Sequence, residues 1–460
     1  MSGLFASLNS SVRAMSAHSR SLEIAGKNLA NVNNTSYARQ RVIYGDRGTV
    51  VTASGAESLG LEALGIQQLR DTLLDRQVVR ETSLTAYYKA MQSAYQRAQA
   101  SLGQSVASTS NASTSTDTGI AAALDGFFNS FQALAANPTD SGQRAALIQS
   151  VGILTDRIQL ADARLAQVQS DLDVQISTDV AEANTLLTTL ADLNSQIARF
   201  EINNPGSAVD LRDQRQATLE KLAAKLPFSV SDPGDGTLQI SVQDNDGNDV
   251  LLVDGINVTN SLGYNGGVIT AGAANTPIAL ASGSIQGSLD AKNSGVQAVR
   301  SNLDALAAQL VASVNGEYGG AFFAAGGTTA ATIRLDSSIT TASLVAGTGG
   351  SGDNSIALAI AQLASKQFST PGDSIDGTFR SFYSLTVSEL GQALAGANTR
   401  VTDQNNIETL VRTQRDTVSG VNLDEEMADL MKFQRAFQAS SRVFQTIDNL
   451  LEVVVTQLGR

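Results

Sequence analysis

Both ends of this chain carry a heptad seam, and that constrains the fold more than any other feature of its 460 residues. Residues 4–30 read as one amphipathic helix. Phe5, Val12, Ser19 and Gly26 fall on one heptad position; Leu8, Met15, Leu22 and Leu29 fall on the other. Apolar residues at this 3.5-residue period mark a helix that packs lengthwise along another. Ser19 and Gly26 keep one side of the seam small, so a partner can approach closely. At the other end, Leu423, Leu430, Phe437, Phe444, Leu451 and Leu458 recur every seventh residue. Phe433, Ile447 and Val454 fill the companion position, with Ser440 as the gap. Asn422 stands where an N-cap belongs, and Asp424, Glu425 and Glu426 occupy the first turn, where the helix dipole favours carboxylates. Residues 1–41 hold five cations and one carboxylate; residues 421–460 hold four cations and six carboxylates. Opposite signs favour pairing of the two helices, or of each with copies from other subunits. A seam at each terminus predicts a chain that starts and ends in the same place.

Between the seams the pattern is mostly helical. Residues 140–200 predict one long helix, opened by a capping box of Asp140 and Gln143. Its apolar face runs through Leu154, Ile158, Leu165 and Leu172 to Ile176, Leu186, Leu190, Ile197 and Phe200, with a stutter at Leu172–Ile176. At 1.5 Å per residue it would be roughly 90 Å long. Asn203-Asn204-Pro205-Gly206 breaks it, and a return helix over 207–226 ends at Pro227. Residues 61–102 and 119–136 also read as helical, with a small polar loop over 105–119. Residues 228–258 alternate β-formers with turn residues, a three-strand meander, and the Gly/Ala/Ser-rich stretch to Ser288 completes a small β domain. Helix resumes over 295–315, 356–366 and 374–418. The expected class is α+β, mainly α: a folded-back rod of long helices, the N- and C-terminal coiled-coil helices together, and an inserted small β domain. The blocks are 1–45 (N-terminal helix and motif), 46–226 (helical rod, first part), 227–290 (β domain), 291–420 (return segment with Gly-rich loops) and 421–460 (C-terminal helix).

Composition removes most chemistry. There is no Cys, no Trp and a single His, His18, so disulfides, thiol catalysis and Cys-based metal sites are out. Lys+Arg number 31 against 44 Asp+Glu, a net charge of −13, which speaks against nucleic acid and anionic membranes as partners. No apolar run approaches the ~20 residues of a membrane span. The N-terminus lacks the charged lead and apolar stretch of a cleaved signal peptide. Gly347-Thr348-Gly349-Gly350-Ser351-Gly352 matches a dinucleotide-loop string after a plausible strand at Ser343–Ala346, but no βαβ unit surrounds it, so it reads as a loop. Asp244-Asn245-Asp246-Gly247-Asn248-Asp249 resembles part of a calcium loop, yet aligning Gly247 puts Val242 and Val253 where carboxylates are required. It reads as a hairpin turn. No catalytic residue, cofactor-binding residue or metal ligand is assigned, no cofactor is expected, and an enzyme is not expected.

The most specific strings are Lys27-Asn28-Leu29-Ala30-Asn31-Val32-Asn33, Tyr37-Ala38-Arg39-Gln40, Gly420-Val421-Asn422-Leu423-Asp424-Glu425-Glu426-Met427 and Phe433-Gln434-Arg435-Ala436-Phe437-Gln438-Ala439-Ser440. Together they resemble the bacterial flagellar axial family of rod, hook and junction proteins. Tyr37–Gln40 and the segment Asn422–Glu426 are most similar to its hook–filament junction members. Asp210-Leu211-Arg212-Asp213-Gln214-Arg215 and Leu193-Asn194-Ser195-Gln196-Ile197 also resemble family stretches. Asn34-Thr35-Ser36 stands where the family usually has Thr-Pro-Gly, so the turn must form differently; Asn34 could supply left-handed geometry.

The resemblance implies an extracellular structural protein of the bacterial flagellum, exported without a cleaved signal peptide. It would assemble with copies of itself as a ring-like or helical layer on the hook's distal end, an adaptor for the filament. Implied partners are the hook protein, the second junction protein and a cytoplasmic export chaperone at the C-terminal segment; neither nucleic acid nor membrane insertion is implied. The expected assembly interface is Phe5, Leu8, Val12, Met15, Leu22, Asn28, Leu29, Asn31 and Tyr37 at one end. At the other it is Leu423, Leu430, Phe433, Phe437, Phe444, Ile447, Leu451 and Leu458. Another axial protein of hook or rod, or a secreted adhesin with coiled-coil termini, are the alternatives.

Overall fold

A computed structural model describes residues 2–46, 48–52, 55–58, 60–102, 119–350 and 352–457. The helices are α1 (Ser2–Ala30), α2 (Thr72–Ser101), α3 (Ile120–Ala136), α4 (Ser141–Phe200), α5 (Val209–Lys225), α6 (Gly283–Asp290), α7 (Gln297–Tyr318), α8 (Ser355–Gln362), α9 (Phe379–Ser419) and α10 (Leu423–Gln457). Strands β1 (Gln40–Asp46), β2 (Thr49–Thr52), β3 (Gly55–Ser58) and β4 (Leu61–Gln68) follow α1. Strands β5 (Ser229–Ser231), β6 (Gln239–Gln243), β7 (Asp249–Asp254), β8 (Asn257–Val258), β9 (Leu262–Asn265), β10 (Val268–Ala271) and β11 (Thr276–Pro277) follow α5. The mainly helical α+β class agrees with the sequence reading. The loop predicted over 105–119 and the last seam residue, Leu458, fall outside the described residues, except for Gly119. The chain divides into two compact units, each built from separate stretches: residues 1–85, 180–283 and 404–460, and residues 86–179 and 284–403.

The first unit contains both termini. Helix α1 packs extensively along α10. Strands β1 and β4 pair antiparallel from Gln40↔Gln68 to Asp46↔Leu61, with an irregularity between Ile43 and Tyr44, and β2 pairs with β3. This corrects the helix predicted to begin at residue 61. Leu61-Glu62-Ala63-Leu64 are helix formers, but cross-strand pairing with β1 decides their state, and Gly65 weakens any helix there. The inserted β segment is a four-stranded meander, β5-β6-β7-β8, plus a three-stranded sheet ordered β11-β10-β9, so it holds more strands than the three expected over 228–258. Asp246-Gly247-Asn248 makes the β6–β7 turn. Gly247 has φ +84° and the Asp244 carboxylate accepts the backbone N–H of Asp246 at 2.9 Å and of Asn248 at 2.8 Å. Helix α4 is tied to the meander by Asn194, whose amide donates to the carbonyls of Leu238 at 2.9 Å and Gly255 at 2.7 Å.

The second unit is organised around aromatic rings. Phe127 and Phe131 of α3 meet edge to face at 5.1 Å between centroids, and Phe322 and Phe323 pack against them. The first part of α4 lays Leu147, Leu154, Ile158, Leu165 and Leu172 into the same core, the stripe its periodicity predicts. Farther along α4, in the first unit, Leu187 rather than Leu186 is fully buried, and Phe200 is 63% exposed where the helix runs out. The glycine-rich string contains no preceding strand. Asp353 accepts the backbone N–H groups of Gly349 at 2.6 Å and Ser355 at 3.1 Å, so the loop folds onto its own aspartate at the start of α8.

Candidate assembly interface

Three of the four most specific strings converge at one buried side chain. Asn28, 2% exposed, sits near the end of α1, and its amide makes four hydrogen bonds. Its Nδ2 donates to the Gln40 carbonyl at 2.9 Å and to Glu426 Oε2 at 3.0 Å. Its Oδ1 accepts the Tyr37 hydroxyl at 2.8 Å and the Gln40 backbone N–H at 3.0 Å. Helix α1, the turn after it, strand β1 and helix α10 are therefore pinned together by one residue. Buried polar groups that lack partners cost free energy, and a full set of partners makes this geometry specific.

Ion pairs surround this hub. Arg39 lies 2.6 Å from Glu425, 2.6 Å from the buried Glu426 and 3.5 Å from Asp429, and so clamps the first turns of α10. Arg70 pairs with Asp75 at 2.8 Å and Asp213 at 2.6 Å, while Asp213 also accepts the Ala38 N–H at 3.2 Å. Arg415 donates to the Thr35 carbonyl at 2.6 Å and pairs with Glu220 at 2.6 Å. Burial first, then the charges of Asp213, Asp210 and Glu426, push the Tyr37 phenol far above its ordinary value, so it stays a donor. The Asn34-Thr35-Ser36 turn needs no left-handed residue: Asn34 Oδ1 accepts the Ser36 N–H at 3.2 Å, and the Asn34 carbonyl accepts the Tyr37 N–H at 3.1 Å. Asn34 is not among the described residues with positive φ, which corrects the left-handed expectation.

The seam residues fall into three groups. Asn28, Tyr37 and Leu451 are buried inside the protomer. Leu8, Met15, Leu22, Leu29, Asn31, Leu430, Phe433, Phe437, Phe444 and Ile447 are half-buried. Phe5 (56%), Val12 (46%) and Leu423 (51%) are exposed. On α10 the half-buried face is the predicted heptad. On α1 it is displaced: the buried residues are Ser11, Ala17, Ser21, Ile24, Ala25 and Asn28, about a third of a turn round the helix from Leu8, Met15 and Leu22. Small side chains at Ala17, Ser21 and Ala25 allow close packing, and Ser21 bonds to Tyr44 of β1. The larger residues Phe5 and Val12 remain outward. Met427 and Met431 on α10 are exposed as well. Exposed apolar side chains therefore stand on both helices, Phe5 and Val12 towards the start of α1 and Leu423, Met427 and Met431 towards the start of α10. Heptad counting missed Arg39, Gln40, Asp210, Asp213 and Glu426. These stand inside the stretches that carry the resemblance, so their signal was a place in a motif.

The chain is similar to known flagellar proteins. The family description "Flagellar hook-associated protein FlgK helical domain" matches residues 106–322, and "Flagellar basal body rod FlgEFG protein C-terminal" matches residues 413–458. The Flagellar hook-associated protein 1 of Bacillus subtilis (strain 168) is 26% identical, over 100% of this chain and 99% of its own length. That of Escherichia coli (strain K12) is 23% identical over 97% and 99%. The flagellar hook junction protein FlgK from Burkholderia pseudomallei superposes on 54% of this chain and 44% of its own, at 20% identity and a TM-score of 0.45. With relatives matched end to end and the helical and C-terminal descriptions both in place, the chain is similar along its whole length to the flagellar hook-associated protein 1 family.

Proposed function

We propose that this chain is a structural protein of the hook–filament junction, an extracellular adaptor layer built on the distal end of the hook. The observation that carries the reading is the convergence of Asn28, Tyr37 and Arg39 with Glu425 and Glu426, which locks α1 to α10. Phe5, Val12, Leu423, Met427 and Met431 are left outward on the same two helices. Copies of the chain meet through these exposed residues, with the half-buried seam positions, from Leu8 and Met15 to Phe437 and Phe444, lining the contact. Asn28, Tyr37 and Leu451 act inside the protomer by setting the helix pair. The chain associates with other axial components. Within that statement, the hook protein below it, the second junction protein above it and an export chaperone on α10 are the specific partners of this reading. Export without signal cleavage and the lack of any catalytic role belong to it too.

Electron microscopy of cells lacking the gene, with the medium assayed for shed flagellin, tests the role. Complete hooks without filaments, and flagellin in the medium, are expected. Missing or truncated hooks would move the protein to the hook or rod. Normal filaments would overturn an axial role and restore the adhesin alternative.

A further inference from the structure

The first unit contains a cavity of about 640 Å³ that the axial role does not use. It lies between the start of α2, helix α5 and the segment that leads into β5. Its apolar lining includes Leu219, Ala223, Phe228, Val230 and Leu238. Its charged lining is five arginines (Arg70, Arg76, Arg80, Arg212 and Arg215) against two aspartates, Asp75 and Asp232. In a chain of net charge −13 this is a local reversal of sign.

Three of the arginines have carboxylates of their own. Arg70 pairs with Asp75 and Asp213, Arg80 with Glu81, and Arg212 with Glu201. Arg76 and Arg215 pair with none among the described residues. Arg215 is the telling one: it is 6% exposed, and its bonds run to neutral acceptors, Asn194 Oδ1 at 3.0 Å and the Gly236 carbonyl at 2.7 Å. A buried guanidinium without an ion-paired carboxylate is unfavourable, and the charges of Asp232 and Glu201 offset its burial only in part. Burial, then the neighbouring charge of Arg212, lowers its pKa to about 10. Two further buried atoms in the same wall, Arg70 Nε and Asp75 Oδ1, have no hydrogen-bond partner. A ligand-sized cavity with an apolar floor and convergent unpaired polar groups is the form of a binding site.

We propose that this cavity binds a carboxylate carried on an apolar body, with the anionic group at Arg215 and Arg76 and the apolar part against Leu219 and Val230. The carboxylate offsets the charge of Arg215. Asp75 opposes it only in part, because Arg70 pairs with that carboxylate as well as with Asp213, and Arg76, Arg80, Arg212 and Arg215 outnumber the remaining lining carboxylate, Asp232. The inference stands apart from the junction role and survives its failure.

The test is titration of the full chain with octanoate, followed by isothermal calorimetry, with 1-octanol as the uncharged isostere. Octanoate should bind with one site per chain and at least tenfold more tightly than octanol. The double variant Arg76→Gln/Arg215→Lys should weaken octanoate at least tenfold. Because Arg215 also supports the fold, Arg76→Glu alone, at an exposed position, should weaken octanoate at least threefold with unchanged circular dichroism. No heat of binding at 10 mM octanoate, or equal binding of octanol, would overturn the proposal. A peptide copying residues 420–431 distinguishes the source: displacement of octanoate by it supports an acidic-apolar segment of another copy, and no displacement supports a free small carboxylate.

Discussion

Replacing Asn28 by Ala should unlock α1 from α10 without unfolding the rest of the protein. The substitution removes all four hydrogen bonds of the buried amide. Tyr37 Oη and the N–H and carbonyl of Gln40 lose a partner, while Glu426 keeps Arg39 at 2.6 Å. Three neutral buried groups left unsatisfied at about 1–2 kcal/mol each give a cost of about 3–6 kcal/mol. The chain has two compact units, so a single global unfolding energy is the wrong measure. Native-state hydrogen exchange reads the local effect. At 1.4 kcal/mol per factor of ten, the Gln40 amide should exchange roughly 100-fold faster or more. The Leu252 amide, in the meander, should not change. An acceleration below threefold at Gln40, or a Gln40 amide already unprotected in the parent, would refute the claim that Asn28 holds the motif together.

Four other outcomes follow from named contacts. Phe5→Asp and Met431→Asp, at exposed positions, should leave circular dichroism unchanged and abolish incorporation into the flagellum; normal junction assembly by both would count against the proposed surface. Phe127→Ala, at the fully buried centre of the aromatic cluster, should destabilise the second unit by about 3–5 kcal/mol in urea melts, with octanoate binding to the first unit intact. Gly287→Val should lower the thermal midpoint, since any side chain there overlaps the Tyr87 carbonyl across the α2–α6 contact; an unchanged midpoint would sink that argument. Glu201 tests acid sensitivity. Burial alone would raise its pKa, but the Arg212 bonds and the N–H groups of Gly206 and Ala208 pull it to about 2 from an ordinary 4.5. A depressed carboxylate contributes its full stabilisation above pH 4.5 and loses it as the pH falls towards 2. Thermal midpoints between pH 5 and pH 2.5 should therefore fall more steeply in the parent than in Glu201→Gln.

Long-range periodicity made the helices legible. A heptad sustained through Leu430, Phe437, Phe444 and Leu451 fixes which face of α10 turns inward, because each residue adds evidence to one register. The same counting placed the buried face of α1 wrongly. Phe5 and Val12 carry the apolar weight, yet Ala17, Ser21 and Ala25 are the residues buried, since close packing rewards small side chains that hydropathy barely registers. Strand β4 was invisible for a related reason: Leu61-Glu62-Ala63-Leu64 is helical by local preference and extended only because β1 lies alongside.

By itself, then, the sequence determined the long helices, the position of the inserted strands, the lack of thiol chemistry and, through its motifs, the family resemblance. These are local or periodic properties, written within a few turns of chain. The tertiary structure decided what the motifs do. Asn28 and Glu426 stand 398 residues apart and meet at 3.0 Å, and no period or propensity connects them. Asp213 reaches Ala38 and Arg70 from α5 in the same way. The unpaired charge of Arg215 is a property of burial, which exists only once the chain has closed around it.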